Sequence, residues 1–286
     1  MCDELIHPGL VEDLRFSRRT FGLAAAGALT SGAALAGIGV TERDVEIKTA
    51  DGSADGVLFH PEGQGAWPAV LIWVDIMGLR PAFREMGKRL AAQGYVVLVP
   101  NPYYRTKRGA PIDGPVDFSN PEQRKLLFGL MGALTPGVTQ RDSEAFLAFL
   151  DAQPQTDCSK KAGVQGYCMG GGLSIRTAAA APSRIGAVAT FHGGNGMASD
   201  APDSPHLLLP NTKARYLMCL ARNDDAQQPL VKDRLKAAFA QAHLEASVEV
   251  YPADHGWCVP GGQTYDASSA ERAWSALSAL YKSRLA

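Results

Sequence analysis

The nine residues Val164-Gln165-Gly166-Tyr167-Cys168-Met169-Gly170-Gly171-Gly172 decide the fold. An apolar strand runs into a sharp Gly-x-Cys-x-Gly turn, and the turn runs into a helix start. This is the pattern of a nucleophile elbow, with cysteine at the position the nucleophile would hold. A side chain held on so tight a strand-to-helix turn needs small neighbours on both sides, because the backbone there passes close to adjacent strands. The helix that follows lends positive potential to a thiolate and free N–H groups to an oxyanion. Cysteine is also a common small core residue, and Gly-x-x-x-Gly spacings recur by chance. The elbow therefore needs support from the rest of the chain.

On both sides of it, strand-like and helix-like segments alternate. Short apolar or β-branched runs bounded by Gly, Pro, Asp or Asn predict strands over 45–48, 56–60, 69–74, 95–100, 162–167, 185–191, 215–220 and 247–251. From Ala69 onward these runs lack strict alternation, as parallel strands buried on both faces do. Three- and four-residue apolar spacing predicts helices over 81–93, 138–153, 169–181, 229–242 and 267–284, with Pro81 and Pro229 suited to first turns. The alternation predicts an α/β fold with a mostly parallel central sheet flanked by helices on both faces. The first two strands have no crossover helix between them and read as an antiparallel edge hairpin. Residues 106–120, rich in Gly, Pro and Lys/Arg, read as a long loop over the carboxyl ends of the strands, where ligands bind in such sheets.

The chain has 286 residues, and 46% of them are hydrophobic, enough to fill a core on both sides of one large sheet. Lys+Arg 28 against Asp+Glu 29 leaves no basic field to hold nucleic acid, so the expected partner is a small molecule. At the amino terminus, Ser17-Arg18-Arg19-Thr20-Phe21-Gly22-Leu23 resembles the twin-arginine export motif. An Ala/Gly-rich run and a small-residue cleavage site at Ala34-Leu35-Ala36 follow. Residues 1–36 thus read as an export signal handed to the twin-arginine machinery and cleaved, leaving a domain of residues 37–286 in the periplasm or outside the cell. The run is too short and too poor in large apolar residues for a stable membrane anchor. Of five cysteines, Cys2 leaves with the signal. With Cys168 reserved as a nucleophile, Cys158, Cys219 and Cys258 remain, an odd number for a disulfide framework. No His-x-x-x-His or Cys-x-x-Cys spacing suggests a metal, and no phosphate-cradling Gly-x-x-x-x-Gly-Lys loop occurs, so no cofactor is expected.

After an elbow nucleophile, the acid and then the base follow in chain order at strand ends. The strand over 215–220 runs into Ala221-Arg222-Asn223-Asp224-Asp225, and the strand over 247–251 into Pro252-Ala253-Asp254-His255-Gly256-Trp257. The order is then Cys168, Asp224, His255. The imidazole takes the thiol proton and returns it to the leaving group, while the aspartate fixes the tautomer. Asp224 lies nearer the strand end than Asp225, a narrow preference, and both types of residue commonly cap turns. Of six histidines, His255 stands out by following the last strand. His192, in Phe191-His192-Gly193-Gly194, also follows a strand and reads as lining the pocket.

These segments resemble the dienelactone hydrolase family of α/β-hydrolases, over about Val45 to Leu285. The blocks that carry the resemblance are Val74-Asp75-Ile76-Met77-Gly78-Leu79-Arg80, Gly166-Tyr167-Cys168-Met169-Gly170-Gly171 and His255-Gly256-Trp257. Gly94-Tyr95 through Pro102-Tyr103-Tyr104-Arg105 also fits. The resemblance implies a carboxylic ester hydrolase acting on an ester or lactone through Cys168, Asp224 and His255. It implies an oxyanion hole made by the backbone N–H groups of Ile76 and Met169. Where the family's best-known members carry a glutamate that contacts the resting thiol, this chain has the shorter Asp75. A carboxylate there favours the neutral thiol and a cationic His255 favours the thiolate, so Asp75 is expected to modulate the thiol and protect it from oxidation. The family's arginines that hold a substrate carboxylate point to Arg105 and Arg124, with Arg80 a third candidate, and Tyr104 and Trp257 are further candidates for the pocket wall. A thioesterase or peptidase would use the same triad. A non-catalytic exported binding protein would not be expected to keep it intact.

Overall fold

The apolar runs from Ala69 to Leu220 lie inside an eight-stranded sheet and the last, over 247–251, lies half-exposed at its edge, in a computed structural model that describes residues 39–285. The expected export signal lies outside the described residues. The strands are β1 (Val40–Thr49), β2 (Gly52–Pro61), β3 (Ala69–Trp73), β4 (Val96–Pro100), β5 (Ala162–Tyr167), β6 (Ile185–Phe191), β7 (Arg215–Ala221) and β8 (Ala246–Tyr251). Their order across the sheet is β1-β2-β4-β3-β5-β6-β7-β8. From β4 to β8 every pairing is parallel, while β1 pairs with β2 and β2 with β4 in antiparallel fashion. The expected edge hairpin is therefore present. Every residue of β3, β4 and β5 is buried, which is why those runs show no polar alternation.

Helices cover both faces. On one face α1 (Pro81–Ala91) and α7 (Ala267–Leu285) pack Phe83, Met86 and Leu90 with Trp274, Leu277 and Tyr281. On the other, α3 (Pro136–Asp151), α4 (Met169–Ala180) and α6 (Leu230–Gln241) contribute Phe146, Leu150, Leu173, Ile175, Leu235 and Phe239. Pro81 sits in the first turn of α1 as expected, whereas Pro229 is the N-cap of α6, one place earlier than the sequence suggested.

Two helices were not expected. A short α5 (Arg222–Gln227) follows β7 directly. The longer α2 (Pro121–Gly132) follows the predicted loop. Its start is well encoded: Asn120 accepts from the N–H groups of Glu122 and Gln123, and Pro121 occupies the first turn. Its apolar residues Leu126, Leu127, Phe128, Leu130 and Met131 form no single stripe, so periodicity gives little sign of it. This helix does not dock on the sheet. It joins a small satellite cluster of Ile76, Phe118 and Leu127, with Met77, Ile112, Phe128, Met131 and Met169 against it.

Candidate active site

The chain crosses from β5 to α4 through Cys168 with φ 53°, a left-handed conformation that a non-glycine residue adopts only under constraint. The flanking glycines show the constraint. A Cβ on Gly166 would stand 1.9 Å from the Gly170 carbonyl oxygen, and one on Gly170 would stand 2.6 Å from that of Trp73. The Cys168 N–H donates to the Phe191 carbonyl at 3.0 Å, and the Cys168 carbonyl accepts from the Gly171 N–H at 3.0 Å. The turn is thus pinned to β6 on one side and to its own helix on the other. It holds a half-buried thiol at the carboxyl end of the sheet.

Helix α5, which follows β7, and the loop after β8 bring the other two predicted groups to this point. His255 Nδ1 and Asp224 Oδ2 are 2.8 Å apart, and the Cys168 thiol is the imidazole's further hydrogen-bond partner. Asp225 points elsewhere and pairs with Lys232 at 2.8 Å, so of the two adjacent carboxylates Asp224 is the one that meets the imidazole. Asn223, which sequence reading passed over, ties α5 to the loop after β8. Its Oδ1 accepts from the His255 N–H at 2.8 Å and from the Asp224 N–H at 3.1 Å. Arg222 adds an ion pair to Asp254 at 2.8 Å. Burial alone would depress the His255 pKa. The charge of Cys168, with hydrogen bonds to the Asp224 carboxylate and to Cys168, outweighs burial and holds it up at about 10.

Ile76 lies just past β3 and Met169 opens α4, where a first-turn N–H has no acceptor within its own helix. Tyr103 ties the two segments together: its hydroxyl donates to the Ile76 carbonyl at 3.0 Å and lies 3.2 Å from the Met169 sulfur. It stands in the stretch that carries the resemblance, but nothing in its spacing marks it. Asp75 is engaged otherwise than expected. Arg80 grips it bidentately at 2.6 and 2.7 Å, and its Oδ1 also accepts from the Met77 N–H at 3.0 Å. The contacts of this carboxylate are therefore an ion pair and a turn cap, and its electrostatic influence reaches Tyr103 and Cys258.

A cavity of about 230 Å³ opens beside Cys168, with Met169, Leu173, Met131 and Leu134 among its walls. The expected pocket residues mostly lie outside it. Arg105 is spent on Asp142 and Asp51 at 2.6 and 2.7 Å and stacks on Tyr104, whose hydroxyl bonds Asp142 and Thr49. Arg80 is held by Asp75, and Arg124 lies on α2 without lining the cavity. Trp257 is fully buried and stacks on Tyr251 with centroids 4.6 Å apart. His192 lies behind the site, its ring centroid 4.7 Å from that of His255 in an edge-on contact. Both His192 ring nitrogens are buried without a hydrogen-bond partner, and its backbone is left-handed at φ 40°. Among the described residues, the one arginine lining the cavity is Arg176 of α4, which sequence reading did not single out.

A family model described as "Dienelactone hydrolase family" matches residues 54–285. A Synechocystis protein named "Putative carboxymethylenebutenolidase" is 26% identical over 234 residues, covering 80% of this chain and 92% of its own length. A carboxymethylenebutenolidase of Pseudomonas putida is 30% identical over 135 residues, 47% of this chain and 55% of that protein. Among solved structures, a dienelactone hydrolase from Anabaena variabilis superposes with a TM-score of 0.62 at 20% identity, covering 86% of this chain and 99% of the other. That similarity speaks to the fold.

Proposed function

The chain belongs to the dienelactone hydrolase family and is a hydrolase of that kind, and from this premise we propose that it cleaves a carboxylic ester or lactone through Cys168, His255 and Asp224. The observation that carries the reading is the imidazole held between the Asp224 carboxylate at 2.8 Å and the thiol on its strained turn. With the proton of Cys168 already on the imidazole, the thiolate attacks the ester carbonyl. The oxyanion that forms is met by the N–H groups of Ile76 and Met169. Collapse of the tetrahedral intermediate breaks the C–O bond, and the imidazolium protonates the departing alkoxide. With a lactone, that alcohol stays tethered to the acyl group. Water, deprotonated by His255, then attacks the thioester, and release of the carboxylic acid restores the thiol. Asp224 keeps Nδ1 protonated and the other nitrogen facing the sulfur throughout.

A panel of aryl esters, small lactones, thioesters and anilides tests this reading, with Cys168→Ala run beside the wild type. Hydrolysis of esters or lactones is expected, with kcat falling by roughly four to six orders of magnitude in the variant. Near wild-type ester hydrolysis by Cys168→Ala would end the proposal, and a preference for thioesters or anilides would redirect it. Residues 1–36 we propose to be removed on export, and mass spectrometry of the protein from its native cells should find an amino terminus near Gly37. An intact Met1 in the mature pool would refute that.

A further inference from the structure

We infer that Arg176 selects extended ester substrates carrying a carboxylate at the far end of the acyl chain, an inference that rests on the ester-hydrolase reading above. Met169, Gly172, Leu173 and Arg176 all line the cavity beside Cys168. Their spacing of three, one and three residues is one continuous stripe along α4. The stripe starts at the proposed oxyanion donor and ends at a guanidinium. Between them Gly172 leaves the floor open, since a Cβ there would approach Pro205 to 3.3 Å. An acyl group bound to Cys168 would therefore lie along an apolar path with a cation at its end.

The charge of that cation is only partly met, by a carboxylate that also lines the cavity. Arg176 donates to the Asp203 carbonyl at 2.5 Å, and the Asp203 carboxylate stands off at 3.7 Å. That carboxylate is largely in solvent while the Arg176 side chain is 14% exposed. Arg80 and Arg105, by contrast, are each held by carboxylate oxygens at 2.6–2.7 Å. Burial accordingly lowers the Arg176 pKa, and Asp203 only partly offsets it. A guanidinium fork with N–H groups to spare is a bidentate partner for a carboxylate.

Reach sets the length of the substrate. The eight residues from Cys168 to Arg176 span about 12 Å along the helix, and helical side chains lean back toward the amino end, shortening that gap. A small lactone ring seated on Cys168 ends short of the guanidinium, whereas a medium-length linear chain spans it.

The test compares p-nitrophenyl hemiesters from hemisuccinate to hemisuberate with neutral p-nitrophenyl alkanoates of matched length. In the wild type, the ratio of kcat/KM for anionic over neutral ester should rise with length to a maximum of at least tenfold in the longer members. In Arg176→Gln that ratio should fall to near one across the series, and Arg176→Lys should retain part of it. Free long dicarboxylates should also inhibit neutral-ester hydrolysis by the wild type competitively, a measurement that needs no variant. Hydrolysis of neutral esters with no anionic preference at any length, or a ratio unchanged in Arg176→Gln, would overturn this inference and leave the ester-hydrolase reading standing. Failure of the wild type to cleave either series would overturn both.

Discussion

The floor and the roof of the site are built in different ways. The floor, made of the β5–α4 turn, α5 after β7 and the loop after β8, grows out of the sheet and its two large cores. Its groups are fixed by backbone threading, by Asn223 between α5 and that loop and by the Asp224–His255 bond. The roof consists of the loop after β4 and α2, and it rests on a satellite cluster whose fully buried members are few. It carries Met131 into the cavity wall. The difference teaches that chemistry here is placed on the stiff part of the molecule, and the shape of the pocket partly on a weakly attached part.

The contrast can be broken most directly at the floor's electrostatics. Asp224→Asn keeps the shape but leaves the imidazole free to adopt the wrong tautomer, and kcat should drop about 10⁴-fold in steady-state assays. Asp225→Asn should leave the rate near wild type, since its carboxylate pairs with Lys232. At the level of packing, Gly166→Ala forces a methyl group into the Gly170 carbonyl. Global stability in urea unfolding should fall by more than about 3 kcal/mol. At the roof, Leu127→Ala removes a fully buried side chain. There the urea midpoint should move little, because α2 can open locally. Amide exchange over 121–132 should speed up, and KM should rise a few-fold. A Leu127→Ala midpoint shifted as far as that of Gly166→Ala would show that floor and roof unfold as one unit.

The same contrast explains what could be read from the chain. The sheet, the tight turn at Cys168 and the placing of Asp224 and His255 near it were legible because buried parallel strands are continuous apolar runs, and because the turn's glycines are forced by backbone contacts. Asp224 over Asp225 followed only narrowly, from distance to the strand end. Helix α2 was missed because its apolar residues point to more than one neighbour. Tyr103, Asn223 and Arg176 were missed because nothing local marks them. Each acts on a partner brought near by the fold, or on a cavity that no spacing describes. Arg105 misled for the opposite reason: it fits the motif, yet Asp51 and Asp142 consume its charge.

The two imidazoles in edge-on contact also set a pH window for the fold itself. His192 is held well below the ordinary histidine value, first by burial and then by the neighbouring His255. The folded protein therefore refuses a proton that the unfolded chain accepts below about pH 6.5, and acid costs stability by about 1.4 kcal/mol per pH unit there. His255 works in the other direction. With its folded pKa raised to about 10, its contribution is complete below about pH 6.5 and drains away as pH climbs toward 10. One ring penalises acid and the other penalises alkali, and their centroids are 4.7 Å apart. Urea midpoints followed from pH 5 to 10 should peak near pH 6.5, and His192→Phe should flatten the acid side of that peak while leaving the alkaline side in place.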